Sequence, residues 1–358
     1  MFVTNSKTLS SNVGIAETEQ ILSLIGKIPG SRLLDLENTL DAIRTAKRVN
    51  LEISSDTKGI VIVGGYDVIP AAQMNVISDE LRRQIEQERE ESEDETESDD
   101  FIVWSDDIYG DTDNDLLPEL PVSRIPDGKS AELILNALQS LEFTTESKFG
   151  IRNLKRPFAI DVFDRVPFKN KNQFEISEKY SPKQILKNQA TGAVYFMLHG
   201  YHNDATRFAG EREISGTFEA FDIYNVPKSC PSTVVFAGCC YGALIALPKA
   251  DRKEPDISIR SRTPEQSIAL AFLLAGANAF VGCTGAHYSP KTQNDNFLGK
   301  PMHLSFWNNI NSGLPPALAL FNAKKEYASK MPHGLTRSLM KAIEIKTLHQ
   351  FTCLGLGW

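Results

Sequence analysis

The sequence predicts an α/β protein of three layers, a mostly parallel β-sheet covered by helices on both faces. Two observations carry the prediction. Short apolar runs rich in β-branched and aromatic residues recur at Gly59–Val63, Ala193–Leu198, Thr233–Ala237 and Ala279–Cys283. Brevity and glycine or polar turns at their ends mark buried strands rather than helices. Segments of helical period lie between them, and strands spaced by helices build parallel sheets.

Taken in order, Leu33–Leu51 reads as an amphipathic helix, with Leu36, Leu40, Ile43 and Ala46 on one face. Gly59–Val63 is the first clear strand, ended by Gly64-Gly65. Ala131–Leu141, Pro182–Gln189, Glu265–Ala275 and Pro316–Ser329 read as helices, and Pro157–Phe163 as a strand. Residues Ser78–Asp100 are dense in Glu and Asp, with almost no core residue after Ile85. A like-charge block repels itself and has little apolar surface to offset ordering, so the segment reads as a disordered insertion. The expected organisation is one domain over 1–358 carrying that acidic insertion at about 78–100.

Composition narrows the function. The chain has 358 residues, 41% hydrophobic, with a net charge of −8. A basic nucleic-acid footprint is absent, so a nucleic-acid partner is not expected. No apolar run reaches the 18 or so residues a membrane span needs, and Met1–Ser11 lacks a signal pattern. The expected setting is the cytoplasm, away from membranes. Five cysteines without a CxxC pair argue against a zinc site or a disulfide framework.

Two strand ends carry chemistry. Ala193–Leu198 runs into His199-Gly200, and Thr233–Ala237 runs into Gly238-Cys239-Cys240-Tyr241-Gly242. Sites in open α/β sheets form at the carboxyl ends of strands. A thiol nucleophile needs exposure, an imidazole to move protons, and donors for an oxyanion. His199 offers the imidazole, and the amides of Gly200 and Cys239 are the expected oxyanion donors. Either residue alone is more often structural; the pair at two major strand ends points to catalysis. His202 and His287 are alternative imidazoles near the site.

Phe196-Met197-Leu198-His199-Gly200 and Val234–Gly242 resemble the His-Gly and small-Cys-x-x-Gly motifs of caspase-like cysteine peptidases, with the gingipain and CHAT groups nearest. Val61–Pro70, Asp107–Gly110 with Pro118–Pro126, Ser267–Gly282 and Gly313–Tyr327 extend the resemblance over about residues 55–330. It implies a caspase-like fold and a regulated cysteine endopeptidase, with His199 as general acid/base and Cys239 as nucleophile. Gly238 before Cys239 and Gly242 three after it favour Cys239 over Cys240, whose side chain leaves the strand on the other face. Protein or peptide substrates follow, with an activating protease or regulatory protein as possible partner and no metal or organic cofactor. Analogy of fold adds a bacterial stress or defence role. Ala237-Gly238 stand where caspases have Gln-Ala, so aspartate specificity does not carry over. Asp161 and Asp164, after the strand expected at Pro157–Phe163, are the candidate S1 residues and favour a basic P1. The alternative is a catalytically silent scaffold that binds partner proteins.

Overall fold

The computed structural model describes residues 1–39, 41–90, 100–140, 143, 146–169, 171–177, 192–214, 216–250, 259–331 and 337–358. In the first third, β1 (Phe2–Thr4), α1 (Ser6–Val13), α2 (Ile15–Lys27), β2 (Leu33–Asp35), α3 (Ala42–Leu51) and β3 (Ile60–Val63) precede a hairpin. The hairpin strands β4 (Ala72–Asn75) and β5 (Ile102–Ser105) flank α4 (Asp79–Glu90). Next come β6 (Val122–Ile125), α5 (Ala131–Leu138), β7 (Ser147–Arg152), α6 (Ala159–Arg165), β8 (Lys171–Ile176) and β9 (Gly192–Met197). A second hairpin, β10 (Arg207–Glu211) and β11 (Thr217–Asp222), precedes β12 (Val234–Ala237) and the short pair β13 (Ala246–Leu247) and β14 (Arg260–Ser261). The chain closes with α7 (Ile268–Leu274), β15 (Ala279–Cys283), α8 (Gly299–Asn311), α9 (Pro316–Lys330), α10 (Ser338–Gln350) and β16 (Phe351–Gly355).

Ten strands form one sheet in the order β2-β1-β3-β6-β16-β15-β12-β9-β7-β8. Pairing is parallel from β15 through β12, β9 and β7 to β8, and antiparallel between β15 and β16. Leu354 of β16 bridges to Arg124 of β6 and joins the two groups of strands. The expected three-layer, mostly parallel sheet is what the chain forms.

Alternation along β9 and β12 sorts side chains onto two faces. Val194, Phe196 and Leu198 share one core with Val235, Ala237 and Cys239, under α5 and α7. Ala193, Tyr195 and Met197 share the other with Val234 and Phe236, under α6, α8 and α9. Caps fix where helices begin. Ser267 accepts from the amide of Leu270 to start α7, and Ser130 from that of Leu133 to start α5.

Three expectations change. Leu33–Leu51 is not one helix: Leu33 pairs with Phe2 as an edge strand, and Asp41 caps a helix beginning at Ala42. Pro157–Phe163 is not a strand. Ala159, Val162 and Phe163 are the buried residues of α6, a helical i, i+3, i+4 set. The acidic segment is not disordered throughout, because Asp79–Glu90 is helix α4, with Leu81 and Ile85 buried beside Ala342 and Ile343 of α10. Residues 91–99, and the helix expected at Pro182–Gln189, lie outside the described residues.

Candidate active site

β9 and β12 lie side by side in register, Ala237 opposite Phe196. The pairing ends at Ala237, and just beyond it the turns that carry His199 and Cys240 leave the carboxyl edge of the sheet. Cys239 packs with Leu198 in one core, whereas Met197 packs with Tyr195 and Phe236 in the other. The cleft agrees: a cavity of about 20 Å³ is lined by Asn153, Arg156, Met197, Leu198, His199, Gly238, Cys240, His287 and Ser289. Cys240 is partly exposed and Cys239 fully buried. Burial also pushes the Cys239 thiol well above its ordinary range. The structure thus brings His199 together with Cys240, and packs the side chain of the expected nucleophile, Cys239, into the core.

The turn that presents Cys240 is tight. Tyr241 follows it at φ 55°, in the left-handed region that non-glycine residues rarely adopt. The Tyr241 amide donates to Gly285 O at 2.9 Å, and the Gly242 amide to Cys239 O at 3.1 Å. The amide of His287 donates to Cys240 Sγ at 3.2 Å, and the same thiol lies 3.6 Å from His287 O, which pins the side chain in the cleft. Glycine is required beneath this turn, since a Cβ at Gly238 would stand 2.6 Å from Cε1 of buried His303. A Cβ at Gly200 would overlap the Cys240 carbonyl oxygen, so the two turns touch backbone to backbone. Gly200 N–H meets no acceptor among the described residues, leaving a donor beside the thiol turn.

His199 is fixed by its backbone and its ring. Its amide donates to Ala209 O at 2.8 Å and its carbonyl accepts from Ala209 N at 2.9 Å, tying it to β10. Nε2 lies 2.9 Å from Asn153 Nδ2 and 3.2 Å from Glu211 Oε1. Asn153 stands one residue beyond the end of β7 and donates its amide to Met197 O at 2.7 Å. Arg262 braces the loops from behind, donating Nη1 to Leu244 O at 2.9 Å and Nη2 to His202 O.

The alternative imidazoles do other things. His202 lies against the ring of Tyr241, 5.6 Å between centroids. His287 lines the cleft and stacks on His303 at 5.0 Å. Burial, with Arg156 and Lys346 nearby, holds His287 far below the usual imidazole range and therefore neutral. Asp161 and Asp164 stand on α6, not after a strand. Asp161 is paired with Lys300 at 2.7 Å, and both aspartates line a separate cavity of about 410 Å³ that shares no residue with the cleft. Among the described residues one carboxylate group could hold a cation: Asp111, Asp113, Asp115 and Glu119, with oxygens within 4.8 Å of one another. Several of those oxygens already accept from loop amides, Asp111 from Asn114 and Leu116 and Glu119 from Thr112.

A thiol and an imidazole at neighbouring strand ends of an α/β/α sheet define a cysteine hydrolase of the caspase-like class. The sequence matches the model of Peptidase family C25 over residues 7–355, so the chain belongs to that family and is a cysteine endopeptidase. A search of curated proteins finds no match to this sequence. The fold resembles the Arg-specific cysteine proteinase gingipain R, with 14% identity, a TM-score of 0.62, and coverage of 99% of this chain and 76% of that one. It also resembles the complex of Porphyromonas gingivalis RgpB pro- and mature domains, at 14% identity, TM-score 0.63, and 99% and 78% coverage.

Proposed function

We propose that the enzyme cleaves peptide bonds in protein substrates with Cys240 as nucleophile and His199 as general acid/base. The observation that carries this is the shared cleft: His199 and Cys240 line it, and Cys239 does not. The Cys240 sulfur attacks the scissile carbonyl carbon as its proton passes to His199, and the carbonyl electron pair moves onto oxygen. The Gly200 amide is the donor placed to meet that oxyanion. His199 gives a proton to the leaving amine as the C–N bond breaks, leaving a thioester. Water then attacks with His199 taking its proton, and release of the carboxylate restores the thiol.

Asn153 orients His199, giving a Cys–His–Asn constellation. The reading includes a reducing compartment such as the cytoplasm, supported by five cysteines that no disulfide joins. Alkylation of the folded protein with iodoacetamide, read by peptide mass spectrometry, tests the assignment. Cys240 takes the label first; preferential labelling of Cys239 in the folded state would refute it.

A further inference from the structure

Of the residues lining the cleft, Arg156 alone bears a fixed charge. It is fastened in place, with Nε donating to Ser289 Oγ at 3.1 Å and Nη1 to Lys155 O at 3.0 Å. Nη2 has no protein acceptor among the described residues, so the guanidinium presents an open pair of N–H donors. A planar cation held this way is preorganised for a carboxylate. The cleft is also shallow, since about 20 Å³ holds a single water. A P1 side chain branches from the carbon next to the attacked carbonyl, so it must lie beside Cys240, and among the described residues no deep shaft opens there for a long one. The carboxylates that suggested a basic P1 are elsewhere: Asp161 is neutralised by Lys300 in its separate cavity. Glu211 is turned to His199 Nε2.

We infer that Arg156 recognises the P1 side chain and that the enzyme cleaves after short acidic residues, aspartate ahead of glutamate. The inference rests on Cys240 and His199 being the reacting pair. It reverses the charge preference expected from Asp161 and Asp164.

Peptide acyloxymethyl ketones that differ only at P1 test it, because they alkylate the active-site thiol in one event. Asp, Asn, Glu, Gln, Arg and Leu reagents are compared on the full chain, with the adduct on Cys240 quantified by mass spectrometry. Iodoacetamide serves as the P1-free probe of thiol reactivity in each variant, and a thermal melt confirms folding. The Asp reagent is expected to label about 10- to 100-fold faster than the Asn reagent, the weight of one charge-assisted hydrogen bond. That ratio shrinks at high salt. Normalised to iodoacetamide, Arg156→Gln loses the ratio and Arg156→Glu turns the preference toward the Arg reagent. Equal Asp and Asn rates, a faster Arg or Leu reagent in the native sequence, or a ratio untouched in Arg156→Glu overturns the role of Arg156. If iodoacetamide still labels Cys240 in those cases, the reacting pair stands. If no reagent labels Cys240 in the folded protein, the pair itself fails and the inference falls with it.

Discussion

Asn153 Nδ2 lies 2.9 Å from His199 Nε2, while the Asn153 side-chain oxygen accepts from the Lys155 amide at 3.0 Å. The second bond fixes which end of the amide faces the ring. Asn153 therefore turns its N–H toward Nε2, which also lies 3.2 Å from Glu211 Oε1, so two side chains hold one edge of the ring. Removing Asn153 takes away one of those two restraints, and the ring is freer to rotate. Asn153→Ala is expected to lower kcat by about 10- to 100-fold with little change in KM, the pattern of lost transition-state organisation. Steady-state kinetics on one peptide checks this, and a change confined to KM would contradict it.

Helix α4 is predicted to contribute to stability through few residues. Leu81 and Ile85 are buried against Ala342 and Ile343, in a core shared with Val103 of β5. Ile85→Ala should cost about 2–4 kcal/mol of unfolding free energy. Glu86→Ala, on the exposed face, should fall within about 0.5 kcal/mol of the native sequence. Urea unfolding distinguishes the two; equal small effects would show that the helix does not pack as described.

Stability should fall as the protein is acidified below neutrality. His287, His303 and His349 all have their imidazole pKa lowered by burial, His349 to about 4. In the unfolded chain each returns to about 6.5. Between about pH 6.5 and 4 the unfolded state therefore binds more protons, so stability rises with pH and is lost on acidification. Each buried histidine contributes up to about 1.4 kcal/mol per pH unit in that window. Thermal melts at constant ionic strength from pH 7.5 to 5 should show a falling midpoint. His349→Gln should flatten the slope, and a flat profile for the native protein would contradict the account.

The strands that carry the site were legible because they are short, wholly apolar and glycine-bounded. β9 and β12 lie within a residue of where the pattern puts them. β7, which supplies Asn153, was hidden by its charge: Lys148 and Arg152 are buried in it, and Gly150 interrupts it. Lys148 is tolerated because its Nζ donates to Phe163 O at 2.8 Å and lies over the Phe163 and Phe168 rings. With β7 unread, the neighbouring Pro157–Phe163 takes its place in the sequence pattern, and Asp161 and Asp164 follow from it as candidates for S1, whereas they stand on α6 in a separate cavity. Motif spacing and strand alternation favour Cys239, but neither says which of the two side chains faces the cleft. Packing decides that: Cys239 sits in the core beside Leu198 while Cys240 lines the cleft with His199, and this needs the fold. Arg156, in the turn between β7 and α6, was missed for the same reason.

Activity of Cys240→Ala set beside Cys239→Ala tests the central claim most directly, measured on a protein substrate with folding verified by circular dichroism. Cys240→Ala should lose about a thousandfold or more in turnover, the scale of removing a covalent nucleophile. Cys239→Ala should retain the greater part of its activity, with a stability loss of about 1 kcal/mol for the small cavity left in the core. A folded Cys239→Ala protein that is inactive, beside a Cys240→Ala protein that still cleaves, would contradict the account.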